Sequence, residues 1–260
     1  MAFIDMTIGS EILNMYVSVA VILPEEKLAE IDGTPKKYPV VYCLHGYKDN
    51  YLSWSRKSML ELEARKHKVA VVTPNCPNSF YTDGKNGFNY YDFVTKELPA
   101  KICSYFPISP KREDTFIMGV SMGGYGAFML AMNNPEKYAA AYSFSGPLAI
   151  DYKDGLVFGF DKTMAAQVMG AMGTADDFHA SRYYLPVVAE KLDKYEGEKP
   201  RLKAICGTED VLCYSYSTAF VEHVRKNTSL NVEYETAPGE HDFFYWNKYL
   251  DDAFKFFGIE

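Results

Sequence analysis

The sequence has no uninterrupted apolar stretch of 18 residues, no block of lysine and arginine, no C-x-x-C pair and no low-complexity tract. Each absence excludes something. Without a long apolar stretch there is no candidate membrane span. An N-terminus with no basic region, apolar core and small-residue cleavage site carries no leader signature, so the expectation is a soluble, cytoplasmic protein. The 27 basic side chains are outnumbered by 34 acidic ones, a formal charge of −7, which disfavours nucleic acid or any other polyanion as partner. The five cysteines are odd in number, and their spacing offers neither a disulfide framework nor a zinc site. Cys43 and Cys206 sit in apolar runs, as reduced core thiols do. No metal or cofactor is implied, and the expected partner is a small molecule, with a homo-oligomer also compatible.

What is present is a chain of 260 residues, 48% hydrophobic, enough for one α/β domain over 1–260 with a single large core. Residues 12–23 alternate roughly, with Met15, Val17, Val19 and Val21 on one face, which predicts an antiparallel strand at a sheet edge. Residues 39–44, 69–72, 116–120, 138–144 and 200–206 are short apolar runs without polar alternation, the pattern of strands covered on both faces. A further strand is expected over 231–236. Helical spacing is read over 57–66, 90–105 (interrupted by Pro99), 183–194, 214–226 and 243–257. Strands alternate with helices, which argues a mostly parallel central sheet flanked by helices. Two segments depart from this rhythm. The loop 73–89 reads as surface, its Phe80-Tyr81 pair either lining a cleft or packing on the core edge. The glycine- and methionine-rich stretch 151–180 reads as a cap-like insertion over the cleft or as a surface excursion.

The chain is organised around residues 115–127. Phe116, Ile117, Met118 and Val120 form a strand-length run; Tyr125, Phe128, Met129 and Met132 recur at helical spacing until Asn133-Asn134-Pro135. Between them lies Gly119-Val120-Ser121-Met122-Gly123. A serine on so sharp a strand-to-helix turn needs glycines beside it, stands exposed above the sheet, and has a backbone N–H at the helix start aimed where an oxyanion would form. The second oxyanion donor belongs after the strand ending at Leu44, in His45-Gly46-Tyr47, and is assigned to the Tyr47 N–H, with Met122 N–H as the first. His45 could serve as a base or shape the loop.

A serine hydroxyl needs a base and a carboxylate to orient that base. On this architecture the chain order is serine, acid, histidine, which leaves His223 and His241. His223 falls within a helical pattern, whereas His241 lies in a loop after the last strand and is the expected base. Asp210, just beyond the run 200–206, is the expected acid, with Glu209 the rival; Asp242 adjoins the base too closely in sequence. Trp54 and Phe160 are candidate pocket residues.

Leu44-His45-Gly46, Gly119 to Gly124, Cys206-Gly207-Thr208-Glu209-Asp210 and Pro238-Gly239-Glu240-His241-Asp242 together resemble the esterase D family of α/β-hydrolases, which includes tributyrin esterases, feruloyl and acetyl xylan esterases, and S-formylglutathione hydrolases. The resemblance implies an α/β-hydrolase fold, a triad of Ser121, Asp210 and His241, and an oxyanion hole from Tyr47 and Met122. It implies a serine carboxylesterase for short acyl or hydroxycinnamoyl esters, including those of sugars or oligosaccharides. The formylglutathione branch carries Ser-Gly-Leu-Thr-Cys where this chain has His45-Gly46-Tyr47-Lys48-Asp49, which ranks a thioesterase second. A catalytically silent fold used for binding is the third reading.

Overall fold

The runs lacking polar alternation become the buried middle of an eight-stranded sheet. The computed structural model describes residues 1–25, 37–84, 87–153, 156–157, 170 and 173–259. In chain order the strands are β1 (Ala2–Ser10), β2 (Met15–Leu23), β3 (Val40–Leu44), β4 (Ala70–Pro74), β5 (Thr115–Val120), β6 (Ala140–Phe144), a short antiparallel pair β7 (Tyr152–Lys153) and β8 (Leu156–Val157), β9 (Arg201–Gly207) and β10 (Val232–Ala237). The main sheet runs β1-β2-β4-β3-β5-β6-β9-β10. From β4 to β10 it is parallel, while β1 and β2 pair antiparallel at one edge. This is the α/β-hydrolase architecture. Among the described residues no helix is long and apolar enough to cross a membrane.

Two cores lie on opposite faces of the sheet. Phe128 of α5 (Met122–Asn133), Val188 of α7 (Leu185–Asp193) and Phe220 of α8 (Tyr214–Asn227) belong to one. Trp54 of α1 (Ser53–Lys57), Leu60 of α2 (Leu60–Lys66) and Phe254 of α10 (Leu250–Phe256) belong to the other.

The structure corrects four readings. The strand expected at the edge is second from it: β1 lies outside β2, its Ile4, Met6 and Ile8 more buried than its Phe3, Asp5 and Thr7. The helix expected over 57–66 is two, because Ser58 turns extended (φ −133°, ψ 171°) and its hydroxyl accepts from the Leu60 N–H. The helix over 90–105 is continuous but widens: α3 (Tyr90–Asp92) passes through a π turn (Phe93–Glu97) into α4 (Leu98–Tyr105). Pro99 has no N–H to give the Thr95 carbonyl, and the Lys137 ammonium donates to it instead at 3.0 Å. The loop 73–89 is not simply surface, since Cys76, Phe80, Tyr81 and Thr82 are buried. Of the expected cap, α6 (Ala175–Ala180) is seen, opened by a Thr174–Asp177 capping box. Met164, Met169, Met172 and Phe160 lie outside the described residues.

Strands β3, β5, β6, β9 and β10 all end at one edge, so the segments after Leu44, Val120, Phe144, Gly207 and Ala237 rise from a common rim. In parallel sheets that carboxyl edge is where ligands bind.

Candidate active site

Ser121 occupies the turn between β5 and α5 with φ 56° and ψ −121°. A non-glycine residue there costs about 1–3 kcal/mol, and two backbone bonds hold it: its N–H donates to Phe144 O at 2.8 Å, and its carbonyl accepts from Tyr125 N at 3.0 Å. The flanking glycines permit the turn. A Cβ on Gly119 would lie 2.3 Å from the Gly123 carbonyl, and one on Gly123 would lie 2.4 Å from the Leu44 oxygen. Both contacts are with backbone, which cannot swing aside. In Gly123→Ala the helix-propensity gain of about 1 kcal/mol is therefore outweighed, and we expect a net loss of about 2–3 kcal/mol, read as a lower urea midpoint. An unchanged midpoint would show the turn to be slack.

The loop after β3 approaches this turn closely, with a Cβ on Gly46 falling 3.5 Å from the Ser121 Cβ. His45 anchors it from below. Its Nε2 accepts from the Cys76 N–H at 3.0 Å, so Nδ1 carries the proton and donates to Gly46 O at 2.8 Å. Burial pushes this imidazole below the ordinary histidine range, against the raising effect of the Gly46 bond. With both nitrogens engaged, His45 shapes the loop. The Tyr81 hydroxyl donates to His45 O at 2.8 Å, and the Lys48 N–H donates to the Asn78 side chain. Phe80 and Tyr81 are packed rings with φ of 50° and 59°.

Asp210 and His241 meet across two loops. The His241 Nδ1–H donates to Asp210 Oδ2 at 2.7 Å, while Asp210 Oδ1 accepts from the N–H groups of Leu212 at 3.0 Å and Cys213 at 2.9 Å. Asp210 is 1% exposed. Burial pushes its carboxyl up, but the bond and charge of His241, the Cys213 N–H and the Ser145 hydroxyl outweigh this and hold it below the usual carboxylate range. Glu209, the rival in sequence, points to solvent, and Asp242 instead caps α9 (Phe243–Trp246), accepting from Tyr245 N at 2.9 Å. His223, on α8, pairs with Glu190 of α7 at 2.9 Å.

Ser121 and His241 line one cavity of ≈ 300 Å³, together with Tyr47 from the loop after β3 and Phe243 and Trp246 from α9. Trp54 does not line it. That ring is 1% exposed, donates from Nε1 to Leu44 O at 2.9 Å, and packs edge-on against Phe144 and Phe243, so it supports the wall from behind. The sequence reading missed Ser145 and Trp246. Ser145 has φ 49° at the end of β6, and its Oγ accepts from Trp246 Nε1 at 3.0 Å; Trp246 packs edge-on against the His241 ring. The Ser145-Gly146-Pro147 turn signal was the available clue.

Among the described residues, two groups of side chains have metal-ligating atoms within 4.8 Å of one another: Asp210, Cys213 and His241, and Glu63, His67 and Asp251. In the first, the Asp210 oxygens and His241 Nδ1 are committed to the bonds above. In the second, Lys66 and Lys255 both pair with Asp251.

Residues 10–257 match the family model described as "Putative esterase". The chain belongs to the esterase family. The esterase is 30% identical to an acetyl esterase of Caldicellulosiruptor saccharolyticus, over 98% of this chain and 97% of the relative. Its fold matches FphF, a fluorophosphonate-binding serine hydrolase of Staphylococcus aureus, with a TM-score of 0.87 and 27% identity over 98% of both chains. It also matches the S-formylglutathione hydrolase FrmB of Staphylococcus aureus, with a TM-score of 0.84 and 27% identity over 98% of both chains. The esterase is a carboxylic ester hydrolase of the serine hydrolase type.

Proposed function

We propose that the esterase removes short acyl groups, acetyl foremost, from small alcohols such as sugars, using Ser121 as nucleophile, His241 as base and Asp210 as orienting acid. The observation that carries this reading is the 2.7 Å bond from His241 Nδ1 to the buried Asp210, on a histidine that shares its cavity with the strained Ser121. With Nδ1 committed, Nε2 takes the Ser121 proton as Oγ attacks the ester carbonyl. The N–H groups of Tyr47 and Met122 receive the oxyanion, each worth roughly 10²- to 10³-fold in turnover. His241 returns the proton to the leaving alcohol, and water then releases the acyl group by the same route. Likeness to an acetyl esterase across nearly the whole chain supports the acyl preference.

The likeness to an S-formylglutathione hydrolase favours thioester cleavage as a second reading. Turnover of acetylated xylose, methyl ferulate and S-formylglutathione separates the two. We expect the acetyl sugar to have the highest kcat/KM; a preference of several orders for the thioester would reverse the ranking.

Ser145 is expected to support the acid. Ser145→Ala removes a hydroxyl from a buried carboxylate and strands the Trp246 N–H, at a cost of about 1–3 kcal/mol. The pH dependence has a definite sign. Because the Asp210 carboxyl is lowered in the folded state, its contribution is complete above the ordinary carboxylate range and is lost as pH falls through the folded value. Ser145→Ala should therefore move the acid unfolding limb to higher pH. Identical acid limbs in wild type and variant would contradict this.

A further inference from the structure

The cavity beside Ser121 is not a plain apolar slot. Among the described residues lining it are two carboxylates, Asp49 and Asp242, and one ammonium, Lys57. Lys57 Nζ lies 2.7 Å from Asp49 Oδ1, and the ammonium also sits 5.6 Å from the centroid of the Phe243 ring. The pair is open to incoming groups, the lysine side chain being 49% exposed and the aspartate 23%.

Its position follows from the proton's path. A base that returns its proton to the leaving oxygen must have the leaving group beside it, so the wall next to His241 faces the alcohol. Asp242 and Phe243 follow His241 in the chain, and Lys57 stands over Phe243. The Asp49–Lys57 pair is therefore on the alcohol side.

We infer that Asp49 and Lys57 are specificity-determining residues that bind the hydroxyls of a neutral polyhydroxylated leaving group and discriminate against an anionic one; this rests on the triad reading above. An ammonium has three donors, and its bond to Asp49 uses one. The carboxylate keeps acceptor capacity on its second oxygen. A ring hydroxyl can both donate and accept, so it satisfies the pair without separating it. Phe243, adjacent to the pair, offers an apolar face for the C–H side of a sugar ring. An anionic leaving group meets a different balance. Two carboxylates against one ammonium leave this wall one net negative charge, and the glutathione thiolate carries two carboxylates of its own. Like charges in a partly desolvated cleft repel.

The test compares kcat/KM on acetylated xylose, p-nitrophenyl acetate and S-formylglutathione. Lys57→Met should lower kcat/KM on acetylated xylose about 10- to 100-fold more than on p-nitrophenyl acetate, through KM more than kcat. Asp49→Asn should raise the ratio of S-formylglutathione to acetylated xylose about three- to tenfold. Covalent labelling by a fluorophosphonate reports that each variant keeps a folded site. Equal losses on xylose and nitrophenyl esters in Lys57→Met, or an unchanged ratio in Asp49→Asn, would overturn the inference and leave the triad standing. Ester hydrolysis that continues undiminished in Ser121→Ala would instead remove the triad reading itself.

Discussion

Replacing Ser121 with alanine is expected to lower kcat for p-nitrophenyl acetate by roughly 10⁴- to 10⁶-fold, with the urea midpoint nearly unchanged. The substitution isolates chemistry from folding for a local reason. Alanine keeps the Cβ that faces Gly46, so the φ of 56° is no more strained than before. The serine makes no side-chain cap bond to the helix it begins, so its loss leaves no backbone group stranded. Only the hydroxyl oxygen goes. Oxyanion donors acting on bound substrate leave a residual rate of about 10³- to 10⁴-fold over water, which steady-state assays at high enzyme concentration can measure.

The second large effect belongs to Asp210→Asn, about 10⁴-fold in kcat. The hydrogen bonds around Asp210 show how it arises. Its Oδ1 accepts from the Leu212 and Cys213 N–H groups, so an asparagine keeps its oxygen there and turns its NH₂ toward His241. Two donors would then face each other at Nδ1. The imidazole escapes by moving its proton to Nε2, and in that tautomer it cannot accept from Ser121. Glu209→Gln is the matched control: its side chain is exposed, and kcat should stay within about twofold, as expected for surface changes away from such features. A large loss at Glu209 with little at Asp210 would transfer the acid's role to the neighbour.

The elbow was legible because its requirements are local. A strand run, a serine between close glycines and a helix pattern are contiguous, and the clash distances at Gly119 and Gly123 show why those two positions are glycine. The meeting of Asp210 and His241 was legible through topology, since both follow parallel strands that end at one rim. What was missed depends on contacts that sequence spacing does not encode. Trp54 is a pocket candidate by sequence, but the Leu44 carbonyl draws its indole N–H inward. Ser145 and Trp246 lie 101 positions apart and meet only when β6 and α9 are placed together. The π turn came from a proline whose missing donor is replaced by Lys137 on a distant loop. β1 is a different case: Ile4, Met6 and Ile8 alternate with Asp5 and Thr7 in the sequence itself, and that period was visible.

Location of a fluorophosphonate adduct by peptide mass spectrometry tests the central claim most directly. Folded wild-type protein should gain one adduct, on the peptide containing Ser121, and Asp210→Asn should gain it far more slowly. An adduct on a different hydroxyl, or no adduct on folded protein, would contradict the assignment of Ser121 as the nucleophile activated by His241.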